Sequence, residues 1–397
     1  MKILVATPDF PLWDGGISTM AYEVASGFKR LGHEVGVMTP LQSRGGDCLE
    51  FDAALPFRVF RIRNIKDHFL KSVYHDFKMG QLMRNHGFDI VLAQSWYPSG
   101  IAACKAAKKY GVRFAVTVSG NEILNARLST PFWRKKMLEV FEKAEHIFCI
   151  SSFTKKKLMA VTDGLGGIEE KATVVNLGVD YRLFSPSPRD GKMAERLGVG
   201  SSKVMLTLSR LVERKGQDMV IRALPEIKKR VPDVKYLICG KGGYEARLRE
   251  IAHEAGVEAD VIFAGYVPDE ERQAYYNLAD LYIMPSREIA DKGDVEGFGI
   301  TYLEANACEK PVIGGRSGGV GEAIIDNETG LLVDPSDTGD IARACIALLT
   351  DSVLSARLGK AGRERIIREF NWDHGCRQMN SVISTGSGAL CRPERCP

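Results

Sequence analysis

The chain lacks the G-x-G-x-x-G fingerprint that dinucleotide-binding folds carry after their first strand, so the main sequence argument for a redox cofactor is missing. It has no run of about 18 or more apolar residues, and no membrane-spanning helix is expected. Room for a secretory signal is lacking too. Met1-Lys2 is followed by only Ile3 to Ala6 before Thr7, Pro8 and Asp9, far short of a normal hydrophobic region. The nine cysteines form no C-x-x-C pair and no metal-ligand spacing, and Cys104, Cys149, Cys239, Cys308 and Cys345 stand in apolar segments. Free thiols in a reducing compartment are expected, and with them a cytoplasmic location. Neither a metal nor a cofactor is expected.

What is present is a chain of 397 residues, long enough for two domains, each with its own core. The net charge of +4 hides an asymmetry. Residues 58–157 hold 19 lysines and arginines against 7 aspartates and glutamates, whereas residues 181–397 are slightly acidic. For any single lysine a solvated helix face explains the charge. The regional excess favours an anionic acceptor or an anionic membrane surface. Nucleic acid is not expected as a partner, because no recognised binding motif accompanies the basic residues.

Short apolar runs alternate with helix-like segments. Strands are expected at residues 2–7, 34–38, 90–93, 114–118 and 146–150, with helices at 17–31, 105–110 and 137–144. The pattern restarts near Val204. Strands follow at 204–209, 234–239, 261–264, 281–284, 311–314 and 331–333, and helices at 216–229, 244–255, 269–278, 300–307 and 340–349. Such alternation implies an α/β fold of two Rossmann-like, doubly wound parallel-sheet domains. Residues 180–191, with Pro186 and Pro188, read as the linker. A basic helix is expected at 357–370, then Asn371 as the cap of a further short helix. The division is 1–183, 184–370, a terminal helix at 371–383 returning to the first domain, and a disordered tail at 384–397.

The segment Glu296-Gly-Phe-Gly-Ile-Thr-Tyr-Leu-Glu304 sets a carboxylate, a glycine-rich turn and a second carboxylate at the start of a helix-like run. Free N–H groups at a helix N-terminus bind phosphate, and carboxylates accept hydrogen bonds from hydroxyls. Were the whole segment helical, the two carboxyls would lie ~12 Å apart along its axis. That spacing suits two polyol ends of an extended ligand with a diphosphate between them. It exceeds the about 5–5.5 Å between the carboxyls of a retaining glycosidase. The expectation is nucleotide-sugar binding.

Other candidates stand at strand ends, where open α/β sheets bind ligands. Ser209-Arg210-Leu-Val-Glu-Arg214-Lys215-Gly216 brings Arg210 and Lys215 to one place, enough to neutralise a diphosphate leaving group; a solvated basic turn is the alternative. The turns at Gly240-Lys241-Gly242-Gly243 and Gly314 to Gly319, and the loop Asp9 to Asp14 with Gly15-Gly16-Ile17, offer backbone to a phosphate or merely turn the chain. Ser119, Asn121 and Glu122 end a strand of the first domain, and a strand-end turn with a helix cap is the preferred explanation of them. Trp133, Met137 and Phe141 share one helical face beside Arg134, Lys135 and Lys136. A core-facing stripe is the commoner meaning, a membrane-surface element the other.

With these residues assembled, nearly the whole chain resembles the retaining glycosyltransferases of family four, which have the GT-B fold. The stretch from Glu296 through Glu304 to Gly319 is the most specific part. Asp9-Phe10-Pro11, Gly15-Gly16-Ile17 and Gly120-Asn121-Glu122 look most like the phosphatidylinositol mannosyltransferase branch. The resemblance implies that Glu296 holds hydroxyls of the donor sugar, that Gly297, Phe298, Gly299 and Ile300 offer N–H groups, and that Glu304 binds the ribose. Gly240 and Val267 would complete the donor site, and Gly16 would contact phosphate from the other domain. Arg210 and Lys215 would stabilise the departing diphosphate. Asp9, Ser119, Asn121 and Glu122 would lie on the acceptor side. Where the family usually has histidine, this chain has Ser119, which can donate a hydrogen bond but carries no charge.

The resulting expectation is retaining transfer of a hexose from GDP-mannose or a UDP-sugar to a glycan or a polyprenyl- or phospholipid-linked acceptor. The inner face of the membrane is a candidate place for it, with peripheral membrane contact. A nucleotide-sugar epimerase and a non-catalytic nucleotide-sugar-binding protein remain the alternatives.

Overall fold

The computed structural model describes residues 1–12, 15–41, 45–124 and 130–385. Asp14 of the first glycine loop and residues 386–397 of the tail lie outside them. The first sheet contains β1 (Lys2–Ala6), β2 (Glu34–Pro40), β3 (Arg58–Ile62), β4 (Ile90–Ala93), β5 (Arg113–Val118), β6 (His146–Cys149) and β7 (Ala172–Val174). Their order is β3-β2-β1-β4-β5-β6-β7, and every pairing is parallel. The second sheet contains β8 (Lys203–Leu208), β9 (Val234–Cys239), β10 (Val261–Gly265), β11 (Leu281–Met284), β12 (Val312–Gly315) and β13 (Leu331–Val333). It too is parallel, in the order β10-β9-β8-β11-β12-β13.

The central strands read as unbroken apolar runs because helices cover both faces of each sheet. Ile3, Leu4 and Val5 are fully buried, as are Met205 and Leu206. In each sheet the winding direction reverses once, between β1 and β4 and between β8 and β11. A crevice opens outside the strand C-termini at such a reversal. The two reversals therefore fix where ligand-binding loops belong.

Two strands of the first sheet were not expected from the sequence. Both are edge strands, β3 and β7. In β3, only Ile62 is buried and charged Arg58 and Arg61 interrupt the pattern. β7 has three residues. The long helix His68–His86 was not foreseen either, because Phe69, Val73 and Phe77 sit on its exposed face and blur its amphipathic period.

Asn371 accepts the N–H of His374 (2.9 Å), and the helix Trp372–Thr385 follows. This helix lies against the first domain. Asp373 pairs with Arg30 at 2.7 Å, and the Arg113 guanidinium donates to the Ile383 carbonyl at 2.6 Å. Contact with the first helix, Gly16–Arg30, is close: a Cβ on Gly27 would lie 2.3 Å from Cys376 Sγ. Trp372 is buried in the same core. Trp372→Ala is expected to cost about 3–5 kcal/mol and lower the thermal midpoint by several degrees. A melting curve that overlays wild type would show the helix to be dispensable for stability.

Candidate active site

The loop after β8 ends in one tight turn, Glu213–Lys215, that drives Arg214 and Lys215 inward to 5% and 8% exposure. Opposite them stands Glu296. Its Oε2 accepts from Lys215 Nζ at 2.5 Å and from Arg214 Nη1 at 2.7 Å. Arg214 Nε also pairs with Asp294 at 2.8 Å. Burial alone would raise the Glu296 carboxyl, but the Lys215 ammonium and the Arg214 guanidinium prevail and hold it at about 2. Burial depresses the Lys215 ammonium against the pull of Glu296.

Arg210 behaves differently. It is exposed on the rim, and across the cleft lies Asp9 of the first domain. Burial raises the Asp9 carboxyl, opposed by Lys71 and Arg210. The two cations expected at one place lie near enough for Arg210 to help depress Lys215, but Lys215 is inside with Glu296 whereas Arg210 is on the rim facing Asp9. Arg214 was not expected as a site residue. Its signal is only its position beside Lys215 in the same turn.

Glu296 precedes the helix Ile300–Ala307 by a non-helical turn, so the eight residue steps to Glu304 do not run along one helix axis. The helix opens on Gly299 without a side-chain cap. The first helix of the chain, Gly16–Arg30, opens on Gly15, also without one. These two helix starts meet: a Cβ on Gly16 would stand 3.5 Å from Ile300 Cδ1. Neither start has a side-chain cap to satisfy its first N–H groups, and such groups are the kind that bind an anion. Gly297 lies against the other domain, and a Cβ there would be 2.5 Å from the Ser119 carbonyl oxygen. Phe298 is fully buried against Phe370, with ring centroids 5.7 Å apart.

Gly240, at the end of β9, has φ +132°, and a Cβ would fall 1.9 Å from the Ser209 carbonyl oxygen. Glycine is required there by the stacking of two loops, whatever ligand approaches. Val267, after β10, is buried. Glu304 is 2% exposed and accepts from the Tyr276 hydroxyl at 2.5 Å and from the Arg272 guanidinium. Burial raises its carboxyl, and Arg272 and Tyr276 oppose the rise. Arg272 and Tyr276 were not foreseen, although they stand four residues apart within an expected helix.

After β5, among the residues expected on the acceptor side, Glu122 folds back: its Oε1 accepts the Ser119 N–H at 2.6 Å. Its carbonyl accepts from the indole N–H of Trp96 at 2.7 Å. Burial raises its carboxyl while the Ser119 and Gly120 amides oppose this. That geometry is the strand-end turn preferred from the sequence. The Ser119 hydroxyl is buried without a hydrogen-bond partner. Asn121 begins a short helix, and its side chain lies outside the described residues. Met137 and Phe141 are in the core, so the stripe they form with Trp133 faces inward.

The Glu296 carboxyl titrates lower in the fold than in a free chain. It stabilises the fold by about 3 kcal/mol above its unfolded pKa, and this is lost as pH falls through about 2. Glu296→Gln leaves Lys215 and Arg214 buried without their shared anion, at a cost of about 3–5 kcal/mol near neutral pH. The gap between variant and wild-type melting midpoints should narrow between pH 5 and about 2. A gap independent of pH would refute the assignment of charge.

Comparisons with known proteins agree on one lineage. The model described as "Glycosyltransferase Family 4" matches residues 14–183, and that described as "Glycosyl transferases group 1" matches residues 191–365. A GDP-mannose-dependent alpha-(1-6)-phosphatidylinositol monomannoside mannosyltransferase of Mycolicibacterium smegmatis is 33% identical over 93% of this chain and 95% of its own. A GDP-mannose-dependent mannosyltransferase of Corynebacterium glutamicum, for a monoacylated form of that acceptor, is 29% identical over 97% of this chain and 98% of its own. Among solved structures, a Rickettsia africae glycosyltransferase superposes with a TM-score of 0.80 at 21% identity, covering 98% of this chain and 99% of that one. Anabaena HepE in complex with UDP superposes at 0.78 with 21% identity, over 97% and 100%.

Proposed function

Since the chain belongs to the family 4 glycosyltransferases and has their GT-B fold, we propose that it transfers mannose from GDP-mannose to a lipid-linked glycan acceptor. It is a retaining hexosyltransferase that uses a nucleotide sugar. GDP-mannose and a glycolipid acceptor are inferred from the mycobacterial and corynebacterial relatives.

The observation that carries the reading is the meeting of two uncapped helix N-termini, at Gly16 and Ile300, beside the buried Lys215–Glu296 pair. A diphosphate placed there would be met by backbone N–H groups from Gly16 and from Gly297 to Ile300. Lys215 and Arg210 would take up its charge, Glu296 would hold sugar hydroxyls, and Glu304 the ribose. In the reaction the bond from the sugar's anomeric carbon to the β-phosphate oxygen breaks, and its electron pair leaves with GDP. The acceptor hydroxyl oxygen attacks the anomeric carbon from the same face, and its proton passes to the departing phosphate oxygen. Lys215 and Arg210 favour this step to the extent that they bind the leaving group more tightly as its charge grows.

A lipid-linked acceptor implies contact with a bilayer. Among the described residues no helix is long and apolar enough to cross one. The helix His68–His86 instead exposes Phe69, Leu70, Val73 and Phe77, and Phe132 is exposed on the helix Pro131–Lys143. Tyr97 joins the two helices: its hydroxyl donates to the His68 carbonyl at 2.5 Å, and its ring meets Trp133 at 5.2 Å. Lys66, Arg134 and Lys135 are exposed around this patch. It borders the cleft, because Lys71 of the same helix acts on the Asp9 carboxyl. Apolar side chains ringed by cations fit an anionic lipid surface. An acceptor anchored there would need only its headgroup to enter the cleft.

In a thermal-shift series, GDP-mannose should raise the midpoint more than UDP-glucose or ADP-glucose. Stabilisation by UDP-glucose alone would exclude GDP-mannose as donor. The double variant Phe69→Ser/Phe77→Ser should fold normally and lose most of its co-sedimentation with vesicles half composed of phosphatidylglycerol. Undiminished sedimentation would remove this face from the membrane contact.

A further inference from the structure

The two domains also meet at a group that the proposed chemistry does not use. Glu322 stands in the short turn of helix Val320–Ala323, after β12. Its carboxylate accepts the backbone N–H of Ser152 at 2.8 Å and of Phe153 at 3.0 Å. These are the first two residues of the first-domain helix Ser152–Val161. Asn176 Nδ2 adds a contact at 3.4 Å. N–H groups at this position have no acceptor within their own helix, and the helix dipole favours an anion beside them. The second domain supplies that anion.

The same helix end also holds the donor loop. Ser151, its N-cap, accepts the Thr154 N–H and donates its hydroxyl to the Gly297 carbonyl at 2.8 Å. The Glu322 N–H donates to the Gly319 carbonyl at 3.1 Å, and the Gly319 N–H donates to the Glu296 carbonyl at 2.9 Å. Arg365 fixes the main chain below, donating to the carbonyls of Glu322 at 2.9 Å and Ala323 at 3.1 Å. One helix terminus thus grips the Glu296 loop directly through Ser151 and indirectly through Glu322.

We propose that Glu322 is a positioning residue whose carboxylate, seated on the Ser152 and Phe153 N–H groups, latches the domains together and sets the Glu296–Gly299 loop against Ser119. It touches no substrate. Its effect on transfer rests on the function proposed above, whereas its effect on closure does not.

The full-length Glu322→Gln variant keeps the side-chain shape, loses the charge and offers one acceptor oxygen in place of two. Its melting midpoint should match wild type, and its GDP-mannose Kd by calorimetry should stay within about twofold, while kcat falls about tenfold. Small-angle scattering should give a larger radius of gyration than wild type without ligand. Glu322→Asp, which keeps the charge on a shorter stem, should recover part of both. Ser152→Pro removes one of the two N–H donors at the first helical position, where proline is compatible with the helix. It should shift both readouts in the same direction by a smaller amount, and it decides the matter if Glu322→Gln does not fold. Wild-type scattering and kcat in both variants would overturn the latch. If the wild type transfers no mannose, scattering alone decides: expansion at an unchanged melting midpoint supports the latch, and no expansion overturns it.

Discussion

The sharing of one carboxylate, Glu296, by Lys215 and Arg214 is the interaction on which the site depends. None of the three groups could be buried alone without a large desolvation penalty. Together they tie the turn Glu213–Lys215 to the loop that opens the helix Ile300–Ala307. The glycine turn between Glu296 and that helix is therefore held in place before any ligand arrives. A cation placed this way needs little rearrangement to meet a diphosphate, which is the condition under which electrostatic stabilisation is most effective.

The parts that could be read from the sequence share a physical reason. All six strands of the second sheet were legible because each is an apolar run closed by glycine or proline turns. Glu296, Glu304 and Lys215 stand out in the sequence by their spacing around a helix start and a strand end, and each is held in a buried ion pair. The partners of these residues do not stand out in this way. Arg214 meets Glu296 from 82 positions away, and Arg272 meets Glu304 from 32. No local period records such a pairing. Gly240 teaches the converse: its place at a strand end suggested a ligand, yet loop stacking alone demands glycine there.

The far side of the cleft is built mainly from backbone. Glu122 spends its carboxylate on the Ser119 amide, and the Ser119 carbonyl rests against Gly297. Serine in place of the family's usual histidine leaves a small, uncharged wall at this point. The charge at this edge of the cleft comes instead from Asp9, one carboxylate with a cation of each domain, Lys71 and Arg210, acting on it.

The chain passes twice between its two halves, and the passages run side by side. The Val179 N–H donates to the Phe370 carbonyl at 2.9 Å, and Val179 pairs with Asn371 in parallel. A single tether lets two bodies tumble freely. Two tethers joined to each other at one bridge behave instead like a hinge with its two leaves pinned together, which favours folding about one line over twist and slide.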